Sequence, residues 1–176
     1  MTGDPEAESR LRALFEAHSR QVFAYAARHS DPNTAQDVVG EVFLVAWRRI
    51  EDVPENPLPW LLVTARNVLH NVSRSVGRQR RLADAMVSVE RLAARVPAAE
   101  ETALRRAEML GALGQLSSAE REAVLLIAWD GLATADAAAV AGCSRRAFEV
   151  RLSRARARLD RLLSTSRPVP LNEVAR

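Results

Sequence analysis

Apolar residues recur every three or four positions along most of this chain, and no stretch alternates strictly as a half-buried strand would. Leu11, Leu14, Phe15, Val22, Phe23 and Tyr25 predict an amphipathic helix over residues 9–29. Asp31-Pro32 then reads as a cap followed by proline at the first helical position. The helix it opens runs to about Ile50, with Val38, Val39, Val42, Phe43, Val45, Ala46 and Trp47 mostly on one side. Residues 51–59, EDVPENPLP, predict a proline-rich loop, and a long helix follows from Trp60 to about Arg81. Between residues 83 and 102 small side chains and Pro97 replace the bulky ones, which predicts a linker. A second helical unit starts near Ala103. Within it, Ser117-Ser118-Ala119-Glu120 has the form of a capping box, and Gly131 ends the helix that carries Val124, Leu125, Ile127, Ala128 and Trp129. The expected fold is all-α: two small helical domains at 9–82 and 103–164, a flexible linker at 83–102 and a tail at 165–176.

The sharpest local pattern lies at residues 133–158, ATADAAAVAGCSRRAFEVRLSRARAR. Ala138 stands four residues before Gly142 and Phe148 six after it. A small residue lets two helices cross closely, glycine permits the turn and a bulky apolar residue anchors the second helix, which is the arrangement of a helix-turn-helix. Ser144 is placed to cap the second helix. That helix carries Arg145, Arg146, Arg151, Arg154, Arg156, Arg158 and Arg161 against only Glu149 and Asp160, and a helix of this kind suits a DNA major groove.

Charge sharpens the picture more through placement than amount. All 25 basic residues are arginine, but the net charge is only +3. Arginine forms bidentate contacts to phosphate and guanine, although codon bias in a GC-rich genome explains the missing lysine equally well. Acids gather in residues 1–55, whereas five arginines and no acid occupy 66–81. Separate acidic and basic surfaces fit one face that meets a protein and another that meets DNA.

Other chemistries find little support. Cys143 is the single cysteine, so no intrachain disulfide forms, and its place in the turn predicts a small buried residue. His18, His29 and His70 lack metal-ligand spacing, and no phosphate-binding glycine loop is present. The expectation is no catalysis, no metal, no cofactor and no small-molecule substrate. The polar, acidic N-terminus is unlike a signal peptide and no apolar run approaches a membrane span, so a cytoplasmic protein without membrane insertion is expected.

Several segments together resemble a known family. LFEAHSRQVFAYAAR, AQDVVGEVFLVAWRRI and PWLLVTARNVLHNVSRS, followed after the linker by ALGQLSSAEREAVLLIAWDGLATADAAAVAGCSRRAFEVRLSRARARL, are similar in order and spacing to the two-domain bacterial sigma factors of the extracytoplasmic-function (ECF) type. The resemblance covers roughly residues 9–164. It implies a transcription initiation factor that binds core RNA polymerase, directs it to promoter DNA and helps melt the minus-ten region, working near the nucleoid and commonly restrained by an anti-sigma protein. By the same resemblance Asp37, Val38 and Glu41 dock on the polymerase; Asp37 and Glu41, four apart, share a helical face. Asn56, Arg66, Asn67, His70, Asn71, Arg74, Arg78, Arg80 and Arg81 match the minus-ten surface. Asn56 has two readings, a base-edge contact or turn chemistry before Pro57. Trp60, which opens the melting helix, is read as a core or capping aromatic. Arg145, Arg146, Glu149, Val150, Arg151, Ser153 and Arg154 match the face that reads the minus-thirty-five element, with Phe148 and Leu152 packing inward.

Four residues depart from the family's pattern: Gly40, Ser73, Ala133 and Glu149. Two other readings stay open at this level. One is a stand-alone helix-turn-helix regulator, which would bind DNA without polymerase. The other is an adaptor that docks on polymerase without opening promoters.

Overall fold

A computed structural model of the chain describes residues 4–75 and 100–165. Every regular element among them is helical: α1 (Pro5–Ala27), α2 (Pro32–Arg48), a 3-10 turn at Ile50–Asp52, α3 (Pro57–Ser75), α4 (Glu100–Gly114), α5 (Ser118–Ala128), α6 (Thr134–Val140) and α7 (Arg145–Thr165). The all-α expectation holds. The predicted tail beyond Thr165 and the linker up to residue 99 lie outside the described residues.

Local chemistry sets most boundaries. The Asp31 carboxylate accepts from the backbone N–H groups of Asn33 and Thr34 at 3.1 and 3.2 Å, with Pro32 as the first helical residue of α2. Ser117 and Glu120 form the reciprocal capping box of α5: the Glu120 N–H donates to Ser117 Oγ at 3.3 Å and the Ser117 N–H to Glu120 Oε2 at 2.9 Å. The Ser117 hydroxyl donates to the same oxygen, and these bonds hold the Glu120 carboxyl below the usual carboxylate range. After α5 the chain reverses at Gly131, whose φ of 68° lets the Leu132 N–H reach back to the Leu126 carbonyl at 3.1 Å.

Some boundaries move from where the pattern set them. Helix α3 begins at Pro57 rather than Trp60, because proline is well suited to an opening helical turn. Helix α4 begins at Glu100 rather than Ala103, since no proline or glycine stands between Glu100 and Leu110 to stop it. Ala133 caps α6 without any side-chain bond, and Thr134 lies inside the helix, so the hydroxyl cap usual at a helix start is missing there.

Helices α1, α2 and α3 pack as a three-helix bundle around Val22, Tyr25, Val38, Val42, Leu61 and Leu62, all at most 1% exposed. Helices α5, α6 and α7 form the second unit around Leu126, Val140 and Phe148, each 0% exposed, and α4 rests on α7 over Leu113, Leu116, Ala155 and Leu159. The sequence suggests two bundles held by a tether. In the structure their cores merge: one apolar cluster runs from Val22 and Leu62 through Ala123 and Leu132 to Phe148, and α3 packs directly on α6.

Gly40 sits in the interior of α2 with open space where a Cβ would be. Gly40→Ala is therefore expected to stabilise the chain by about 1 kcal/mol, by removing the backbone-entropy cost of mid-helix glycine. Urea unfolding checks this: the midpoint should rise while the slope stays constant.

Candidate nucleic-acid interface

The turn between α6 and α7 is built as its residues require. Gly142 adopts a φ of 63°, the Cys143 N–H donates to the Ala138 carbonyl at 3.1 Å, and Ala138 is 3% exposed where the helices cross. The Ser144 hydroxyl accepts from the Ala147 N–H at 3.3 Å, capping α7. Phe148 and Leu152 point into the core, as expected of the inner face of this helix. Cys143 is half-buried rather than fully buried, packed against the edge of the core.

The outer face of α7 presents Arg145, Arg146, Glu149, Val150, Ser153 and Arg154 to solvent, with Arg151 half-buried. Glu149 does not stand alone: it accepts from Arg145 Nε at 2.8 Å, one helical turn away. Both side chains are well exposed, so the pair adds little stability, but it ties one arginine of the face to an acid. Beside this face an open groove is lined by Ser117 and Glu120 from the start of α5 and by Ser144, Arg146, Arg151 and Arg154 from α7. Two helix N-termini and three guanidinium groups make it favourable to phosphate.

Helix α3 carries the second set. Leu58, Leu61, Leu62 and Ala65 face inward, while Arg66, Asn67, His70 and Asn71 are exposed along the opposite stripe. Arg74 lies in the last turn of α3 with its side chain outside the described portion, and Arg78, Arg80 and Arg81 lie outside the described residues. The loop before α3 is anchored by Val53, 3% exposed, whose carbonyl accepts from Arg10 Nη2 at 2.7 Å. That leaves Asn56 exposed at the mouth of α3. Trp60 is half-buried, with the Arg49 guanidinium carbon 5.9 Å from its ring centroid, in keeping with a packed aromatic.

On α2 the acidic pair Asp37 and Glu41 faces solvent. Val38 does not: it is 0% exposed in the bundle core, so it supports the helix from inside and offers no surface to a partner. Leu44 and Trp47, 40% and 36% exposed, adjoin the acids on the outer side, although the pattern placed Trp47 with the buried residues.

Sequence reasoning gave no hint of the contacts between the two domains. Arg28, closing α1, lies against Asp130, following α5, in a two-point ion pair whose side chains are 6% and 2% exposed. The Tyr25 hydroxyl donates to Glu122 at 3.5 Å. Burial lifts the Glu122 carboxyl above the usual range against the pull of Arg66, Arg151 and Arg28, and burial likewise raises the Tyr25 phenol. The Arg66 guanidinium reaches the helix-turn-helix itself: a Cβ placed on Gly142 would stand 2.5 Å from its Nη1 and Nη2. These partners are 102, 97 and 76 residues apart in the chain, beyond the reach of any local pattern.

Among the described residues no group of three or more His, Cys, Asp and Glu could hold a metal ion, and no helix is long and apolar enough to cross a membrane.

Fold and surface together define a helix-turn-helix DNA-binding protein of two helical domains. Residues 14–80 match the family Sigma-70 region 2, and residues 106–159 match Sigma-70, region 4. The RNA polymerase sigma factor NccH of Alcaligenes xylosoxydans xylosoxydans is 29% identical over 87% of this chain and 86% of its own. The ECF RNA polymerase sigma factor EcfG of Rhodopseudomonas palustris is 34% identical over 73% of this chain and 71% of its own. Among solved structures, the sigma factor RpoE in complex with the anti-sigma factor NepR from Bartonella quintana superimposes with a TM-score of 0.62 at 27% identity, covering 89% of this chain and 98% of that one. The chain belongs to the sigma-70 family of RNA polymerase sigma factors, in its ECF group. It is a transcription initiation factor that directs core RNA polymerase to promoters.

Proposed function

We propose that the two domains divide the promoter between them. Residues 9–82 dock on core polymerase through Asp37 and Glu41 and hold the minus-ten strand along Asn56, Arg66, Asn67, His70, Asn71 and the arginines at 74, 78, 80 and 81. Residues 103–164 read the minus-thirty-five element through the outer face of α7. The observation that carries this reading is the sorting of α7, with Phe148 and Leu152 buried and six of the seven assigned residues exposed. A recognition helix needs that separation: an apolar edge that fixes its angle and a polar edge free to enter the major groove. Asn and Arg at spacings of three and four along α3 suit phosphate and base-edge contacts to a separated strand.

RNA synthesis is the polymerase's chemistry, and this chain contributes specificity without catalysis of its own. The solved RpoE–NepR complex supports an anti-sigma protein as a further partner. The place of action is that of core polymerase, at the nucleoid during initiation.

Transcription from a fragment library of the source genome, with purified core polymerase and this chain, tests the proposal. Start sites preceded by two spaced motifs are expected. Polymerase binding without any defined start would refute promoter recognition by these surfaces.

Within that system Arg151→Ala is expected to weaken binding to the upstream motif and to flatten its dependence on salt, since one fewer counterion is released per lost phosphate contact. A logarithmic plot of affinity against salt should change slope by about one. An unchanged slope would remove Arg151 from the phosphate-facing set.

A further inference from the structure

We propose that Glu149 is a positioning residue for base reading: its carboxylate fixes the Arg145 guanidinium so that the two terminal nitrogens meet a guanine edge in the upstream element. This deepens the assignment of α7 given above and rests on it.

Helix stability does not explain the pair. Arg145 is the first residue of α7, and no acid stands in the opening turn. A cation there opposes the helix macrodipole, which favours negative charge at an N-terminus. The order of the two charges is also the less favourable one, because an acid four residues before a base supports a helix better than the reverse. The side chains are 70% and 48% exposed, where an ion pair contributes little to folding. General attraction to phosphate does not explain the pair either. Glu149 is the only acid between Ser144 and Leu159, set among arginines, and a carboxylate repels a phosphate backbone. The groove that suits phosphate is lined by Arg146, Arg151 and Arg154, and neither Arg145 nor Glu149 belongs to it.

Orientation does explain it. Arg145 Nε donates to Glu149 Oε1 at 2.8 Å, the length of a charge-assisted bond. With Nε engaged, the plane of the guanidinium is set and Nη1 and Nη2 form an open fork; among the described residues neither nitrogen has a partner. Guanine presents O6 and N7 side by side in the major groove, and a planar fork of N–H groups matches them. The first residues of a recognition helix are the ones that reach base edges. A loose arginine loses rotamer freedom when it binds, whereas one already held loses less. Holding it also sharpens the choice of base: a loose guanidinium can swing to a phosphate or another acceptor, and a fixed one meets only the edge it faces.

The test uses the holoenzyme assembled from core polymerase and the full chain. Its template is a promoter from the start-site map in which each base pair of the upstream motif is replaced in turn by the other three. Relative transcript yield gives a preference profile for every position. With the unsubstituted chain, guanine should be preferred at the position that Arg145 faces. Arg145→Ala and Glu149→Ala should each reduce that preference by on the order of tenfold and leave the other positions as they were. Glu149→Gln, which keeps an acceptor for Nε, should retain part of it. Yield from a promoter with a scrambled upstream motif should hold or rise in Glu149→Ala, since a charge that repels phosphate has left the DNA face. A fall there would mark a misplaced helix and overturn the proposal. In a chain that already carries Arg145→Ala, Glu149→Ala should change nothing further, as expected of a residue that acts through its partner. An unaltered profile in Glu149→Ala overturns the proposal. So does a further loss in the doubly substituted chain, which would make the carboxylate itself the reader, of a cytosine amino group. If Arg145→Ala, Arg146→Ala and Arg154→Ala all leave the profile as it was, the assignment of α7 to the upstream element fails. If Arg146→Ala and Arg154→Ala alter it and Glu149→Ala does not, that assignment stands and only the role of Glu149 falls.

Discussion

Reversing the charge of Asp37 and Glu41 together to arginine is expected to abolish co-purification with core RNA polymerase and leave the fold intact. Both side chains are exposed on one face of α2, so the substitution touches no buried contact, and arginine is a good helix former. Unfolding stability should change by no more than about 0.5 kcal/mol. Binding should change far more. Two attractive charges become two repulsive ones, and like-charge juxtaposition across an interface costs several kcal/mol. The neighbouring Leu44 and Trp47 add exposed apolar area on the outer side of the same helix. Pull-down at two salt concentrations checks the result. Retained binding would place the docking surface elsewhere.

Phe148→Ala is expected to destabilise the C-terminal domain by about 3–5 kcal/mol, the usual cost of truncating a fully buried aromatic. Phe148 is 0% exposed and is among the largest fully buried side chains of the protein. Around it the helix crossing is lined by small residues, Ala138 and Ala141, whose backbones are already close and have little room to collapse into the void. Loss of this anchor frees the angle of α7, so binding to the upstream motif should fall even where helix content survives. Urea unfolding followed by circular dichroism gives the first quantity and fluorescence anisotropy the second. A cost below about 1 kcal/mol would mean that the crossing does not depend on this ring.

What the sequence revealed and what it hid follow from the range of each interaction. Caps are local, so Asp31-Pro32 and the Ser117–Glu120 box were legible as letters. The two faces of α7 were legible because helical periodicity separates Phe148 and Leu152 from the arginines around them. Periodicity was less decisive on α2. Val38 lies next to Asp37 in sequence but one helical step inward, and Trp47 sits at the margin of the apolar stripe, where a small rotation of the helix decides burial. The residues proposed for the minus-ten surface of α3 come from the resemblance, whereas the contact of Arg66 with Gly142 had no counterpart in it. Nor had the pairing of Arg28 with Asp130: each reads alone as an ordinary polar residue ending a helix. Tertiary proximity across a linker leaves no trace in periodicity.

Gly142 answers to two masters. Its φ of 63° serves the turn that aims α7, and its bare Cα gives Arg66 room on the other domain. Any side chain there would strain the turn and crowd the seam at once. A substitution at position 142 therefore strains the turn before α7 and displaces the Arg66 guanidinium of the other domain in the same step.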